Sequence, residues 1–159
     1  MRFAIGHGYD VHRLVADRPL ILGGVRVEHT EGLLGHSDAD VLVHAIMDAL
    51  LGSIGEGDIG RHFPDTAEEF RGICSIELLR RVADILSARC ASVGNVDATL
   101  IAQRPKLAPY INTMVENIAA ALGCDASQIN VKATTEEHLG FTGREEGMAA
   151  HAVALVMLP

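Results

Sequence analysis

The sequence predicts an α+β fold in a single domain, in which a mixed sheet packs helices on one face in a ferredoxin-like arrangement. Strand-like and helix-like segments are interspersed along the chain, and no change in composition divides its 159 residues. Hydrophobic residues make up 48%, which is enough for a core, whereas aromatic residues make up 4% and Trp is absent. We therefore expect residues 1–159 to form one domain with an aliphatic, alanine-rich core.

The first half of the chain predicts a hairpin followed by an apolar helix. Residues 2–14 and 20–28 read as strands, joined at the turn-forming segments ADRP and GG. Ser37 is placed to cap a helix over 38–52, with Asp40 three residues further on as in a capping box. This helix is apolar on nearly all sides, so it is expected to pack on several sides. The glycine-rich segment GSIGEGDIGRHFPDT that follows predicts an irregular loop.

The second half predicts two amphipathic helices and three strands. Residues 75–91 place aliphatic side chains on one face and arginines on the other. Pro105 suits the first turn of a second helix, which runs to Leu122 and is closed by Gly123. Alternating or apolar segments predict strands at 95–102, 129–135 and 148–158.

The last predicted strand, MAAHAVALVML, is apolar on both faces. Two arrangements account for this pattern: helices cover both faces of the sheet, or one face meets another subunit. The second arrangement is favoured, because few helices are available.

Charge and cysteine content limit the classes of function. The net charge of −8 and the pI of about 5.4 argue against a surface for nucleic acid or for an anionic membrane. An anionic ligand would therefore need local attraction from metals, helix N-termini or individual cations. Three widely spaced cysteines without a CxxC pair indicate reduced thiols and a cytoplasmic protein. No secretory signal or apolar run of 18 residues opens the chain.

One strand and one helix supply candidate metal ligands. Asp10 and His12 lie two positions apart, so they share a face of the first strand. Asp40, His44 and Asp48 form a polar stripe at i, i+4 and i+8 on the apolar helix. A buried imidazole needs a partner, and for His44 alone a backbone carbonyl would suffice. Together with Asp10 and His12, it forms a set suited to Zn²⁺ with one open position.

Two segments near the first helix each allow two interpretations. The segment HSDAD at 36–40 lies where free N–H groups favour an anion, although a capped helix with solvated acids explains it equally well. The segment GDIGRHFPDT at 57–66 combines glycines with Asp58 and Asp65. It suits hydrogen bonding to hydroxyl groups, or it is a surface loop.

Two later segments are candidates for phosphate or nucleotide contacts. In AQRPKLAP at 102–109, Lys106 falls in the predicted first helical turn, where a cation opposes the helix dipole. A phosphate contact would explain it, and an ordinary exposed lysine is the alternative. In TTEEHLGFTGR at 134–144, glycines and Arg144 suit a phosphate, whereas a turn with surface acids is the simpler explanation.

In combination, these segments resemble a known enzyme family. GYDVHRL, GLLGHSDADVLVHAIMDALLG, GDIGRHFPDT, NVDATLIAQRPKL and VKATTEEHLGFTGREEG occur in this order. They closely resemble the 2-C-methyl-D-erythritol 2,4-cyclodiphosphate synthase family of the non-mevalonate isoprenoid pathway, over nearly the whole chain. The resemblance implies a homotrimer with active sites at the subunit boundaries. It also implies conversion of 4-diphosphocytidyl-2-C-methyl-D-erythritol 2-phosphate to the cyclic diphosphate and CMP.

The resemblance also assigns metal and catalytic residues. Each subunit would bind one Zn²⁺, and a second divalent ion, Mg²⁺ or Mn²⁺, would be held by Glu137. His36 and Thr135 match positions that align the substrate and stabilise the transition state. The family's zinc ligands fall on Asp10, His12 and His44.

The resemblance further implies three binding regions. The methylerythritol-phosphate pocket matches Ser37, Asp58, Ile59, Gly60, Phe63, Pro64 and Asp65. The cytidine pocket, contributed across the subunit boundary, matches Ala102, Pro105, Lys106, Leu107 and Ala108. Further substrate contacts are implied for Asp10, His12, His36, Thr134, Thr135, Glu136 and Glu137. A loop near the trimer axis, where the family can hold an isoprenoid diphosphate, matches Phe141 and Arg144.

The residue types suit this chemistry, and three positions depart from the family pattern. The nucleophile would be an ionised substrate phosphate oxygen, so the barrier is mainly anion repulsion and alignment. Glu136 and His138 stand where Thr and Lys are frequent, and His151 stands where some relatives carry an acid facing Arg144. Two alternatives remain: a non-catalytic metal- or nucleotide-binding protein on this scaffold, and a hydrolase that cleaves the same diphosphate with water.

Overall fold

The computed structural model describes all residues 1–159, as seven strands and five α-helices joined by turns and short 3₁₀ segments. The strands are β1 (Arg2–Ala16), β2 (Leu20–Leu22), β3 (Val25–Val27), β4 (Glu31–Leu33), β5 (Ser92–Ile101), β6 (Ile129–Thr134) and β7 (Gly147–Leu158). The helices are α1 (Val41–Ser53), α2 (Ile59–His62), α3 (Ser75–Ala88), α4 (Ile111–Leu122) and α5 (Gly140–Gly143). None of the helices is long and apolar enough to cross a membrane.

Five of the strands form one mixed sheet in the order β4-β1-β7-β5-β6, and β2 and β3 form a separate hairpin. β7 is antiparallel to both β1 and β5, whereas β5 and β6 are parallel. The α+β class and the mixed sheet are therefore confirmed. The long elements follow the order β-α-α-β-α-β-β, which differs from the β-α-β-β-α-β order of a ferredoxin-like fold. The predicted ferredoxin-like arrangement therefore agrees with the structure only in having the helices on one face of a sheet.

Small residues allow α1 to lie directly on the sheet. Gly6 and Gly8 of β1 face this helix, and a Cβ atom on either would be 1.8 Å from a backbone oxygen of α1, that of Ala49 or Ala45. α1 is buried on nearly all sides between the sheet and α3, as its apolar sequence predicts. The hydrophobic core is aliphatic, with Phe70 as its one aromatic member.

The opposite face of the sheet carries no helix. Most outward residues of β1 are exposed and apolar, including Phe3 at 61% and Ile5 at 72% exposure. Val153 on the adjacent strand β7 is exposed as well. The helices therefore pack on one face, as predicted, and the outer face of β7 is left uncovered within one chain.

The cap of α1 differs from the prediction. Asp40, not Ser37, is the N-cap, and its carboxylate accepts hydrogen bonds from the backbone N–H groups of Val43, Gly23 and Gly24. Burial raises the pKa of Asp40 to about 6, with a further increase from the charge of Asp38, although the three N–H donors oppose these effects. Asp40 thus ties the β2–β3 turn to α1, whereas the Ser37 hydroxyl accepts a bond from Ala39 N–H.

The region before α4 also differs. α4 begins at Ile111, after a 3₁₀ turn over Ala108–Tyr110, and the Arg104–Pro105 peptide bond is cis. Pro105 and Lys106 therefore precede the helix, and the dipole argument made for Lys106 does not apply. The predicted end is confirmed, since Gly123 has φ 66° in the left-handed region.

Three smaller differences concern the ends of elements. The predicted strand 20–28 is the β2–β3 hairpin. The helix predicted over 75–91 ends at Ala88, and the glycine-rich loop contains the single-turn helix α2.

Candidate metal centre and substrate clefts

Asp10, His12 and His44 converge where β1 crosses α1, and their potential ligand atoms all lie within 4.8 Å of one another. Asp10 Oδ2 is 2.9 Å from His12 Nε2 and 3.1 Å from His44 Nδ1. The two imidazole nitrogens are 3.2 Å apart. One carboxylate and two imidazoles with an open side make a possible metal site, and the combination resembles the ligand sets of catalytic Zn²⁺ sites. The structure thus brings together the three zinc ligands that the family resemblance implies.

Hydrogen bonds on the outer side of each imidazole fix its orientation. His12 Nδ1 is 2.8 Å from the carbonyl oxygen of Leu34, so its Nδ1–H donates there and its Nε2 faces the centre. His44 Nε2 lies 2.9 Å from Ser75 Oγ and 3.2 Å from Ser37 Oγ. Both rings are therefore oriented independently of any ion.

Asp38 completes a chain of hydrogen bonds behind His44. The Ser75 hydroxyl and backbone N–H both donate to its carboxylate. An ionised carboxylate only accepts, so the hydroxyl accepts in turn from His44 Nε2–H. A neutral His44 then carries its proton on Nε2 and directs the Nδ1 lone pair at the centre. Sequence reasoning missed the roles of Ser75 and Asp38 behind His44. Asp38 belongs to the segment HSDAD, but Ser75, which connects it to His44, is 31 positions from His44 without a shared motif.

The electrostatics of the centre keep Asp10 ionised. Burial would raise the pKa of Asp10, but hydrogen bonds and charge interactions with His12 and His44 outweigh burial and lower it to about 2. For His12, burial would lower the pKa, and the interactions with Asp10 raise it above its usual value. The centre therefore combines a fixed negative charge with an imidazole, that of His12, which accepts a proton readily, and a divalent cation can take the place of that proton.

A cavity of about 400 Å³ opens beside this centre. His36 lines it, and the imidazole Nε2 lies 2.9 Å from the carbonyl oxygen of Ala67. Asp58 does not line the cavity; it caps α2 by accepting from Arg61 N–H, and Asp48 accepts from Ile59 N–H. The other predicted substrate contacts found in the lining are Ser37, Ile59, Gly60, Phe63, Pro64 and Asp65.

A second cavity, of about 470 Å³, lies at the ends of β5 and β6. All five residues predicted for the cytidine pocket line it, together with two threonines. It shares no lining residue with the cavity at the metal centre. The predicted contacts in its lining are Ala102, Pro105, Lys106, Leu107, Ala108, Thr134 and Thr135. Thr135 and His36, the two predicted catalytic residues, therefore lie in different cavities of one chain.

The loop after β6 holds Glu137 outside the Asp10–His12–His44 cluster. Glu137 and His138 both have left-handed backbones, with φ 52° and 64°, and His138 N–H donates to the Gln103 side chain. The Glu136 carboxylate accepts from the Thr142 hydroxyl, so it anchors the loop instead of lining the second cavity.

Phe141 and Arg144 also lie away from the metal centre. Phe141 is half-buried, and Arg144 is exposed and donates to Glu146. Within one chain, the structure does not bring Glu137, Phe141 or Arg144 to the Asp10–His12–His44 cluster.

Comparisons with known proteins agree on one family. The model of the YgbB family matches residues 3–157. The 2-C-methyl-D-erythritol 2,4-cyclodiphosphate synthase of Syntrophotalea carbinolica is 65% identical over 152 residues, which cover 96% of this chain and 93% of that protein.

Two solved structures share the fold. The bifunctional IspDF from Campylobacter jejuni superposes with a TM-score of 0.95 at 44% identity, and the match covers 99% of this chain but only 43% of that longer one. The CDP complex of Plasmodium falciparum IspF gives a TM-score of 0.86 at 34% identity, covering 98% of this chain and 96% of that one. The chain therefore belongs to the YgbB family, whose relatives include 2-C-methyl-D-erythritol 2,4-cyclodiphosphate synthases.

Proposed function

We propose that the protein converts 4-diphosphocytidyl-2-C-methyl-D-erythritol 2-phosphate to 2-C-methyl-D-erythritol 2,4-cyclodiphosphate and CMP, as a phosphorus–oxygen lyase of the non-mevalonate isoprenoid pathway. An oxygen of the 2-phosphate attacks the β-phosphorus, and the bond from this phosphorus to the CMP oxygen breaks. The observation that carries the proposal is the Asp10–His12–His44 centre, open to a cavity lined by the predicted sugar-phosphate contacts. The 65% identity to a relative of that name supports it.

The reacting groups are already anionic, so the residues mainly hold and align them. When bound at Asp10, His12 and His44, Zn²⁺ would polarise phosphate oxygens and offset their charge. His36 and Thr135 align the substrate on either side of the reacting phosphates. Glu137 would hold the second ion, Mg²⁺ or Mn²⁺.

The two cavities are proposed to hold the two ends of the substrate. The cavity at the metal centre takes the methylerythritol phosphate. The cavity with Lys106 takes the cytidine, in keeping with the CDP bound to the Plasmodium falciparum relative. Because the cavities share no lining residue within a chain, the cytidine cavity is proposed to come from a neighbouring subunit.

A homotrimer would supply this neighbour. The uncovered face of the sheet, with Phe3, Ile5 and Val153 exposed, is the surface proposed to form the contact. An isoprenoid diphosphate at the trimer axis, near Phe141 and Arg144, remains a prediction from the family. The cytoplasmic location remains a prediction as well; all three cysteines are free.

Product analysis tests the reaction directly. The purified protein is supplied with the cytidyl-diphosphate substrate and Mg²⁺, and phosphorus NMR follows the products. Release of CMP together with the paired signals of a cyclic diphosphate is expected. CMP with a linear bisphosphate would support the hydrolase alternative, and absence of turnover in zinc-loaded protein would support a binding protein.

Asp10→Asn tests the assignment of the metal centre. The substitution removes the anionic ligand, so loss of bound zinc and of turnover is expected together. Asp84→Asn, on the exposed surface of α3, is the matched control and should keep both. Near-normal turnover with unchanged zinc content in Asp10→Asn would contradict the ligand assignment.

A further inference from the structure

Two histidines face each other on the uncovered side of the sheet. In the pairing of β1 with β7, Val153 lies opposite His7 and His151 lies opposite Tyr9, so the two histidines are diagonal neighbours on one face. His7 Nε2 and His151 Nδ1 are 3.0 Å apart, and the ring centroids are 5.3 Å apart. The Tyr9 ring packs against His151, with the centroids at 4.8 Å. The pair is thus held by sheet register and by an aromatic neighbour.

This pair is separate from the Asp10–His12–His44 centre. Side chains alternate along β1, so His7 and Tyr9 point outward, whereas Gly6 and Gly8 pack against α1 on the inner side with Asp10 and His12. The sheet itself lies between the two groups. A ligand of the pair therefore needs no residue of the proposed catalytic centre.

The spacing of the two nitrogens matches that of two ligands on one transition-metal ion. Nitrogens at roughly 2.05 Å from an ion are about 2.9 Å apart at a right angle and about 3.3 Å apart at a tetrahedral angle. The observed separation of 3.0 Å is closer to the right angle. Square-planar or tetragonal coordination of this kind is typical of Cu²⁺ and Ni²⁺.

Proton balance allows both nitrogens to bind. In the hydrogen bond, one ring carries the shared proton and the other accepts it. If that proton moves to the second nitrogen of its own ring, both of the neighbouring nitrogens have a free lone pair, with no change in charge. Asp97 lies across this face, opposite Val153, and is bonded to Lys132 and Asn130, so these groups satisfy each other.

We propose that His7 and His151 form a second metal site, which binds Cu²⁺ or Ni²⁺ in tetragonal geometry with water completing the coordination. The site does not depend on the proposed reaction. It lies on the face proposed for subunit contact, so an ion there would sit between or beside the subunits.

Titration of the metal-free, full-length protein with Cu²⁺ alone tests this site. Calorimetry and electron paramagnetic resonance should count two tight equivalents per chain, one at each group. His7→Phe and His151→Phe keep an aromatic ring at each position but remove a ligand nitrogen, and each should leave one equivalent. Asp10→Asn should weaken Cu²⁺ binding at the Asp10–His12–His44 centre and leave the equivalent at His7 and His151 unchanged.

Val153→Ala is the matched control, because it changes the same face between the two histidines without removing a ligand. It should keep both equivalents. Far-UV circular dichroism checks that each variant is folded, and the two Phe variants serve as independent tests. Retention of both equivalents in folded His7→Phe or His151→Phe would overturn the proposal, as would binding of a single equivalent by the unmodified chain.

Discussion

At the scale of single residues, Ser75 determines which nitrogen of His44 faces the metal centre. Its hydroxyl connects His44 Nε2 to Asp38, and it is fully buried. Ser75→Ala should lower Zn²⁺ affinity by about 10- to 100-fold, the usual effect of removing a hydrogen-bond partner of a metal-binding histidine, because the His44 tautomer is no longer fixed. Competition with a chelator measures the dissociation constant directly in metal-free protein.

Ser53→Ala provides the matched control for this prediction. Ser53 is also buried, but its hydroxyl bonds only to the Leu50 carbonyl at the end of α1. Its Zn²⁺ affinity should stay within about twofold of the unmodified protein. Equal affinities for Ser75→Ala and Ser53→Ala would show that the Asp38 connection does not hold the ligand.

His12 also predicts how metal affinity depends on pH. Burial would lower the pKa of His12, but the hydrogen bond and the charge of Asp10, together with the bond to the Leu34 carbonyl, raise it above 6.5. A proton on His12 excludes the metal. As the pH is lowered, Zn²⁺ affinity should therefore begin to fall before pH 6.5 is reached, and it should then decrease by about tenfold for each further pH unit. Affinity that is constant from pH 7.5 to 6 would contradict this, and NMR titration of His12 gives the pKa independently.

The candidate metal ligands could be predicted from the sequence, but the residues that orient them could not. Asp10 and His12 are two apart on a strand, and His44 stands out on an apolar helix, so the pattern itself indicated a mixed set. Ser75 opens α3, far along the chain, and only tertiary packing brings it to His44. Asp40 shows the same limit, since it was expected inside α1 and instead caps it while binding the β2–β3 turn.

At the scale of elements, the position of α1 depends on close approach to β1. A methyl group on Gly8 would overlap the backbone oxygen of Ala45, and backbone cannot move aside as a flexible side chain would. Gly8→Ala should therefore lower the free energy of unfolding by about 3 kcal/mol. It should also weaken zinc binding, because α1 carries His44. Urea unfolding of the metal-free protein measures the first effect.

Gly52→Ala, in α1 itself, is the control. Nothing lies within 4 Å of a Cβ atom at Gly52, which is exposed near the end of α1. Removing glycine from a helix raises stability by up to about 1 kcal/mol. Opposite signs for the two substitutions would confirm the contact with β1, whereas two small changes of the same sign would refute it.

Element types were predicted well where a regular pattern extends over many residues, as in β1, α1 and β7. The region before α4 was not, because Pro105 fits a first helical turn by sequence, whereas the chain turns there through a cis peptide and a 3₁₀ segment. Lys106 is consequently free of the helix terminus and lines the proposed cytidine cavity. The helix-dipole argument for Lys106 was therefore wrong, and its contact with a nucleotide stays a prediction.

At the scale of the whole molecule, the proposed homotrimer rests on two features of one chain: two cavities that share no lining residue and an uncovered apolar face. Ile5 lies on that face with 72% of its surface exposed. Burying such a side chain contributes about 1.5–3 kcal/mol per copy, and a carboxylate there would need to be desolvated. Ile5→Asp should therefore convert a trimer to monomers, as measured by light scattering.

Loss of assembly should also remove activity, although Ile5 lines neither cavity. The reason is that monomers keep the metal centre but lack a neighbour to supply the cytidine cavity. Zinc content should thus stay at one per chain while turnover disappears. Ser87→Asp, on the outer surface of α3, adds the same charge away from the sheet and should remain trimeric and active. A monomeric Ile5→Asp protein with full turnover would mean that each chain contains a complete active site.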